Sequence, residues 1–139
     1  MHGGGFDEGS KSTYVRPLFD ILADAGFAWF SIDYRLAPEV QFPKAIDDVN
    51  SAIIWVKSNS KKYRVDTSKI ALIGESAGGY LVNYAGTHET RRTKVAAVVD
   101  FYGPSDYGKQ AELRRDHPEH FNMTTANRHA AHGGGIHYF

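Results

Sequence analysis

A serine framed by glycines, Gly74-Glu75-Ser76-Ala77-Gly78-Gly79, is the stretch of this sequence best suited to covalent chemistry. It follows the short apolar segment Ile70-Ala71-Leu72-Ile73 and precedes a run that reads as helix. At such a junction the chain turns sharply and pushes the serine hydroxyl into the open. The helix start also offers backbone N–H groups where negative charge would develop on a bound carbonyl. Gly74 and Gly78 suit a turn so tight that side chains there would collide. Acyl transfer needs a nucleophile, a base for its proton, and donors aimed at the oxyanion. Ser76 supplies the first, and the N–H of Ala77 supplies one donor. A second glycine run, His2-Gly3-Gly4-Gly5-Phe6, lies upstream and can supply further amides, because bare backbone approaches a carbonyl closely. The competing reading of that run is a floppy terminus or a tag remnant. Its position ahead of the serine is the order expected for a strand-to-helix loop.

These groups need elements to hold them. The spacing predicts a helix from about Ser12 to Ala25, with Val15, Leu18, Phe19, Leu22 and Ala23 on one face and Gly26 as its stop. Phe27 to Ile32 is continuously apolar, the pattern of a strand buried on both faces of a parallel sheet. Asp33 to Glu39 reads as loop. A second helix is expected from near Pro43 to about Asn59, with Ile46, Val49, Ala52, Ile53 and Val56 as its buried stripe. Asp66-Thr67-Ser68 is a turn, Ile70 to Ile73 a strand, Ala77 to about Gly86 a helix, and Val95 to Phe101 a third strand. Alternating strands and helices predict an α/β fold, a three-layer sandwich on a mostly parallel sheet. Beyond Gly103-Pro104 the pattern fades, with one short helix near Gln110 to Asp116.

The chain of 139 residues suits a single domain with a modest core. Sixteen basic residues balance sixteen acidic ones, so no electrostatic footprint for nucleic acid is present. No apolar run is long enough to span a bilayer. No leader pattern opens the chain, and the cytoplasm is the default compartment. Cysteine is absent, which excludes disulfides and thiol chemistry.

Four segments occur in one order: His2 to Phe6, Asp33-Tyr34-Arg35-Leu36-Ala37-Pro38-Glu39, Phe42-Pro43-Lys44-Ala45-Ile46-Asp47-Asp48, and Gly74 to Gly79. Together they resemble the hormone-sensitive-lipase-like esterases of the α/β-hydrolase fold. The resemblance covers the chain to about Asp106, a motif-bearing core over residues 1–106 followed by an irregular, cap-like or loop-like segment over 107–139. It implies hydrolysis of small-molecule carboxylic esters through an acyl-enzyme on Ser76. It implies an oxyanion hole of Gly3, Gly4 and Ala77, with Gly5 as a further candidate, and neither a metal nor an organic cofactor. A short acyl ester is the default substrate, and the oligomeric state stays open.

The pattern is incomplete. In this fold the acid and the histidine follow the serine on later loops. The resemblance offers no matching position for either, so the chain reads as an internal piece of a longer hydrolase or the product of a truncated gene. Asp106 or Asp116 followed by His129, His132 or His137 keeps the right order, but no strand precedes any of them. His117, His120, His129, His132 and His137 match no familiar metal-ligand spacing. A second His-Gly-Gly-Gly at His132 to Gly135 reads as loop. Two alternatives to an esterase follow, a non-catalytic remnant serving binding or assembly and a serine peptidase of the same fold. Among neighbouring residues, Asp33 and Arg35 suggest a loop ion pair. Asp47 and Asp48 suit a first helical turn. Glu75 suits a structural role as well as a catalytic one, and Trp55 and Tyr80 suit packing.

Overall fold

The computed structural model of the chain describes residues 1–13 and 16–117. Along them run α1 (Arg16–Asp24), α2 (Lys44–Ser58), α3 (Ser60–Tyr63), β1 (Ala71–Glu75), α4 (Ala77–Thr87), β2 (Ala97–Phe101) and α5 (Tyr107–Asp116). The chain divides into two compact units after Gly103, three residues before the end expected for the motif-bearing core.

In the first unit β1 and β2 pair in parallel, from Ala71 opposite Ala97 to Glu75 opposite Phe101. Parallel neighbours need a crossover, and α4 supplies it, packing on both strands. α2 lies against α4. Its 3-4 spacing buries Ile46, Val49 and Ile53, which meet a unit whose own buried face is Leu81, Val82 and Ala85 of α4. Val49 and Val82 retain no exposed surface. Burying each such side chain stabilises the fold by about 1.5–3 kcal/mol. This βαβ unit with its added helix is the frame that holds the serine turn.

The sequence expectations for α2, β1, α4 and β2 agree with the structure to within a few residues. α1 starts later than expected, and Val15 lies outside the described residues. Its end is as expected: Gly26 takes φ +79°, and its N–H and that of Phe27 bond the carbonyls of Ala23 and Leu22. The single turn α3 was not foreseen. It follows Asn59 directly and stops at Arg64, which adopts a left-handed conformation.

The strand expected over Phe27 to Ile32 is absent, and the segment is not buried. Phe27 and Trp29 are 61% and 44% exposed. An apolar run becomes a strand only when a neighbour supplies its ladder. Among the described residues the ladders of β1 and β2 go to each other and, at one point, to Met1. The rings of the segment gather locally instead, with Trp29 stacked on Phe19 at 3.7 Å and Phe30 edge-on to Trp55 and Tyr63. The sheet described is therefore two-stranded rather than three-stranded. Val99 and Phe101 of β2 remain partly open to solvent.

In the second unit α5 begins at Tyr107, earlier than expected, because the Asp106 side chain accepts the N–H of Lys109 at 2.8 Å and caps it. His120, His129, His132, His137 and the second His-Gly-Gly-Gly lie outside the described residues.

Candidate active site

Ser76 sits between the end of β1 and the start of α4 with φ +52° and ψ −119°. A residue with a Cβ takes this conformation only when its surroundings impose it, at a cost of about 1–3 kcal/mol. The surroundings are visible. The Ser76 N–H bonds the Phe101 carbonyl at 2.9 Å, which hooks the turn to β2, and the Ser76 carbonyl accepts the first helical bond from Tyr80 at 3.1 Å. Glycine is needed on both sides. A Cβ on Gly74 would stand 2.2 Å from the Gly78 carbonyl oxygen, and one on Gly78 would stand 2.4 Å from that of His2.

A serine at a helix start commonly caps it with its side chain. Ser76 makes no such bond. Among the described residues its hydroxyl has no hydrogen-bond partner, yet it is not sealed off from solvent. Beside it Ala77, the first residue of α4, is buried, and its N–H has no helical acceptor.

The opening glycine run lies against this turn. Met1 pairs with β1: its amino group donates to the Ile73 carbonyl, and its carbonyl accepts the N–H of Glu75 at 3.2 Å. Burial lowers the pKa of that amino group, and the charge of Glu75 works the other way. His2 is fully buried and stacks on Tyr34 with ring centres 4.3 Å apart. The Tyr34 hydroxyl donates to the His2 carbonyl at 3.0 Å, and His2 Nδ1 meets the Gly3 carbonyl at 2.7 Å, which requires the proton on Nδ1. Phe6 is buried edge-on to Tyr80, and its carbonyl accepts the Ala37 N–H at 2.8 Å. The segment Asp33 to Glu39 thus serves as a bracket for the glycine run.

Gly3 comes closest to the nucleophile candidate; a Cβ built on it would lie 3.0 Å from Ser76 Cβ. Its N–H, however, is donated to Glu75 Oε1 at 2.8 Å. Gly3 therefore lies beside Ser76, but its donor is already engaged. The N–H groups of Gly4 and Gly5 have no acceptor among the described residues. Gly4 and Gly5 take φ +112° and +61°.

Two neighbours differ from expectation. Arg35 pairs with Asp48, not Asp33: its Nη2 lies 2.8 Å from Asp48 Oδ1 and its backbone N–H donates to Oδ2. Asp33 pairs with Lys11. Helix α2 presents Asp48 directly to the loop, a proximity the linear order conceals. Asp100 holds the turn after β2, accepting from Gly103 N–H at 2.8 Å and Asn83 Nδ2 at 2.6 Å. The Tyr102 phenol has a raised pKa, first because of the Glu75 charge, then burial, then its hydrogen bond to that carboxylate. Sequence reasoning assigned no role to His2 or Tyr34. The histidine heading the glycine run was the available signal.

The BD-FAE family model matches residues 1–131. The chain belongs to the BD-FAE family. This BD-FAE chain is 37% identical over 124 residues to "Esterase LipC" of Mycobacterium tuberculosis, covering 81% of itself and 31% of that relative. It is 36% identical over 115 residues to "Probable carboxylic ester hydrolase LipM" of the same organism, covering 76% of itself and 27% of that relative. The solved "Bacterial Heroin Esterase" superposes with a TM-score of 0.66 at 33% identity, over 76% of this chain and 34% of that one. The BD-FAE chain thus has a partial α/β-hydrolase fold of the hormone-sensitive-lipase-like esterase type. It spans under a third of the length of these two curated relatives.

Among the described residues of this BD-FAE chain no imidazole bonds the Ser76 hydroxyl. No group of three or more His, Asp or Glu is gathered as a metal site among them, and no helix there is long and apolar enough to cross a membrane. Of the acids that keep the triad order, Asp106 caps α5 and Asp116 lies beside Arg115 at its end.

Proposed function

We propose that this chain carries the nucleophile half of a serine carboxylesterase acting on small-molecule esters. Ser76 Oγ attacks the ester carbonyl carbon and its proton passes to a base. The C–O bond to the alcohol breaks, the alcohol leaves with a proton, and water then releases the carboxylic acid from the acyl-enzyme. The N–H groups of Ala77, Gly4 and Gly5 hold the oxyanion, and Gly3 forms the wall of that cradle. The observation that carries this reading is the strained, unbonded Ser76 set against the glycine run. The esterase names of the relatives support the ester over the peptide. Among the described residues no imidazole bonds the Ser76 hydroxyl, so the base that takes its proton lies outside them.

Hydrolysis of p-nitrophenyl acetate by the protein and by Ser76→Ala tests the proposal. Turnover above buffer that disappears in Ser76→Ala supports it. Turnover that survives the substitution overturns Ser76 as nucleophile, and a protein that neither turns over the ester nor is acylated at Ser76 by it favours the non-catalytic remnant. A matched peptide cleaved faster than the ester favours the peptidase.

A further inference from the structure

We propose that Glu75 is the positioning residue of the oxyanion cradle: it grips the glycine run at Gly3 and so holds that run beside Ser76. The inference rests on the esterase reading above and adds a residue and a mechanism to it.

Glu75 touches the run at two points that flank His2. Its backbone N–H donates to the Met1 carbonyl, and its side chain accepts the Gly3 N–H. A single bond would let the run pivot; two bonds on either side of one residue fix both its height along β1 and its rotation. The second bond is to an ionised acceptor, which makes it about twice as strong as a neutral one. There is little slack around it. A Cβ on Gly3 would lie 2.8 Å from Glu75 Oε1. Tyr34 and Ala37 hold the run from its other side, through the carbonyls of His2 and Phe6. Glu75, the residue next to Ser76, is therefore the link between the run and the serine turn.

The arrangement also removes a conflict. A carboxylate one residue from Ser76 would repel a developing oxyanion if it faced the cradle. Here its Oε1 accepts the Gly3 N–H, a donor that draws its charge away from the cradle. Engaging Gly3 also withdraws one amide from the cradle, which leaves the donor work to Gly4, Gly5 and Ala77.

The test uses the protein labelled with 15N-glycine, together with Glu75→Gln and Glu75→Ala. The Gly3 amide proton is expected downfield and is expected to move as acid neutralises Glu75. In Glu75→Gln the pH dependence disappears, and in Glu75→Ala the signal moves upfield. Modification of Ser76 by a fluorophosphonate should then slow by about 10² in Glu75→Ala, the loss that a misplacement of about 1 Å brings. Glu75→Gln retains an acceptor and should stay within about tenfold of wild type. The loss should fall in the maximal inactivation rate and not in probe affinity, whereas simple unfolding would lower the fraction of protein labelled. A Gly3 amide indifferent to pH in the wild type, or Glu75→Ala reacting at the wild-type rate, overturns the proposal. A wild-type protein unreactive at Ser76 rejects the esterase reading instead, and the Gly3 amide alone then decides whether Glu75 anchors the run.

Discussion

Replacing Ser76 by glycine should make the protein more stable than replacing it by alanine, against the usual order of those residues. The conformation at φ +52° and ψ −119° lies where a Cβ is penalised, by about 1–3 kcal/mol, and glycine escapes that penalty. Glycine loses more conformational freedom on folding, which costs roughly 0.5–1 kcal/mol relative to alanine. Neither variant loses a hydroxyl contact relative to the other, and the native hydroxyl has no partner among the described residues. The balance favours Ser76→Gly by about 1 kcal/mol, or roughly 4–8 °C in melting temperature for a unit of about this size. Ser51, exposed inside α2, is the control: there glycine should be less stable than alanine by about 1 kcal/mol. Thermal unfolding followed by far-UV circular dichroism on the four variants gives both differences. A Ser76→Gly protein no more stable than Ser76→Ala would refute the claim that the turn stores strain. If the sign inverts between the two sites as expected, the strain resides in the backbone conformation at position 76.

Three further outcomes follow from the geometry. Gly78→Ala places a Cβ 2.4 Å from the His2 carbonyl oxygen, roughly 1 Å inside ordinary contact, so the glycine run must retreat. Stability should fall by about 1–3 kcal/mol and reaction at Ser76 by about 10², measured by urea unfolding and probe kinetics. Burial pulls the Asp48 carboxylate upward, but the Arg35 hydrogen bonds and charge outweigh it, and its pKa is net lowered. A lowered folded value means stability that is present above about pH 4 and lost as pH falls through the folded pKa. Asp48→Asn should therefore melt below wild type at pH 7 and converge with it in acid; a constant gap across pH would contradict the assignment. Glu75→Gln removes the charge that raises the Tyr102 phenol, so that phenol should titrate closer to its ordinary value, read by NMR of labelled tyrosine.

The serine turn was legible because it is local. Gly74, Gly78 and the strand-to-helix change lie within a few residues, and short-range sterics dictate them. The stripe of Ile46, Val49 and Ile53 was legible for the same reason. What escaped depends on partners far along the chain. Phe27 to Ile32 has the composition of a buried strand, but composition does not supply the neighbour that would complete its ladder. Arg35 faces Asp48 because α2 folds back onto the loop, whereas adjacency in sequence suggested Asp33. The engagement of Gly3 by Glu75 joins residues 72 positions apart, and no spacing rule reports it. The glycine run was thus recognisable as a candidate for the site, while the engagement of the Gly3 amide and the open amides of Gly4 and Gly5 required the three-dimensional contacts.

The central claim is that Ser76 is the nucleophile, and peptide mapping by mass spectrometry after fluorophosphonate treatment tests it most directly. A single phosphonyl adduct on the peptide containing Ser76, absent from Ser76→Ala, is the expected result. An adduct on another residue, or labelling that persists in Ser76→Ala, would contradict the account.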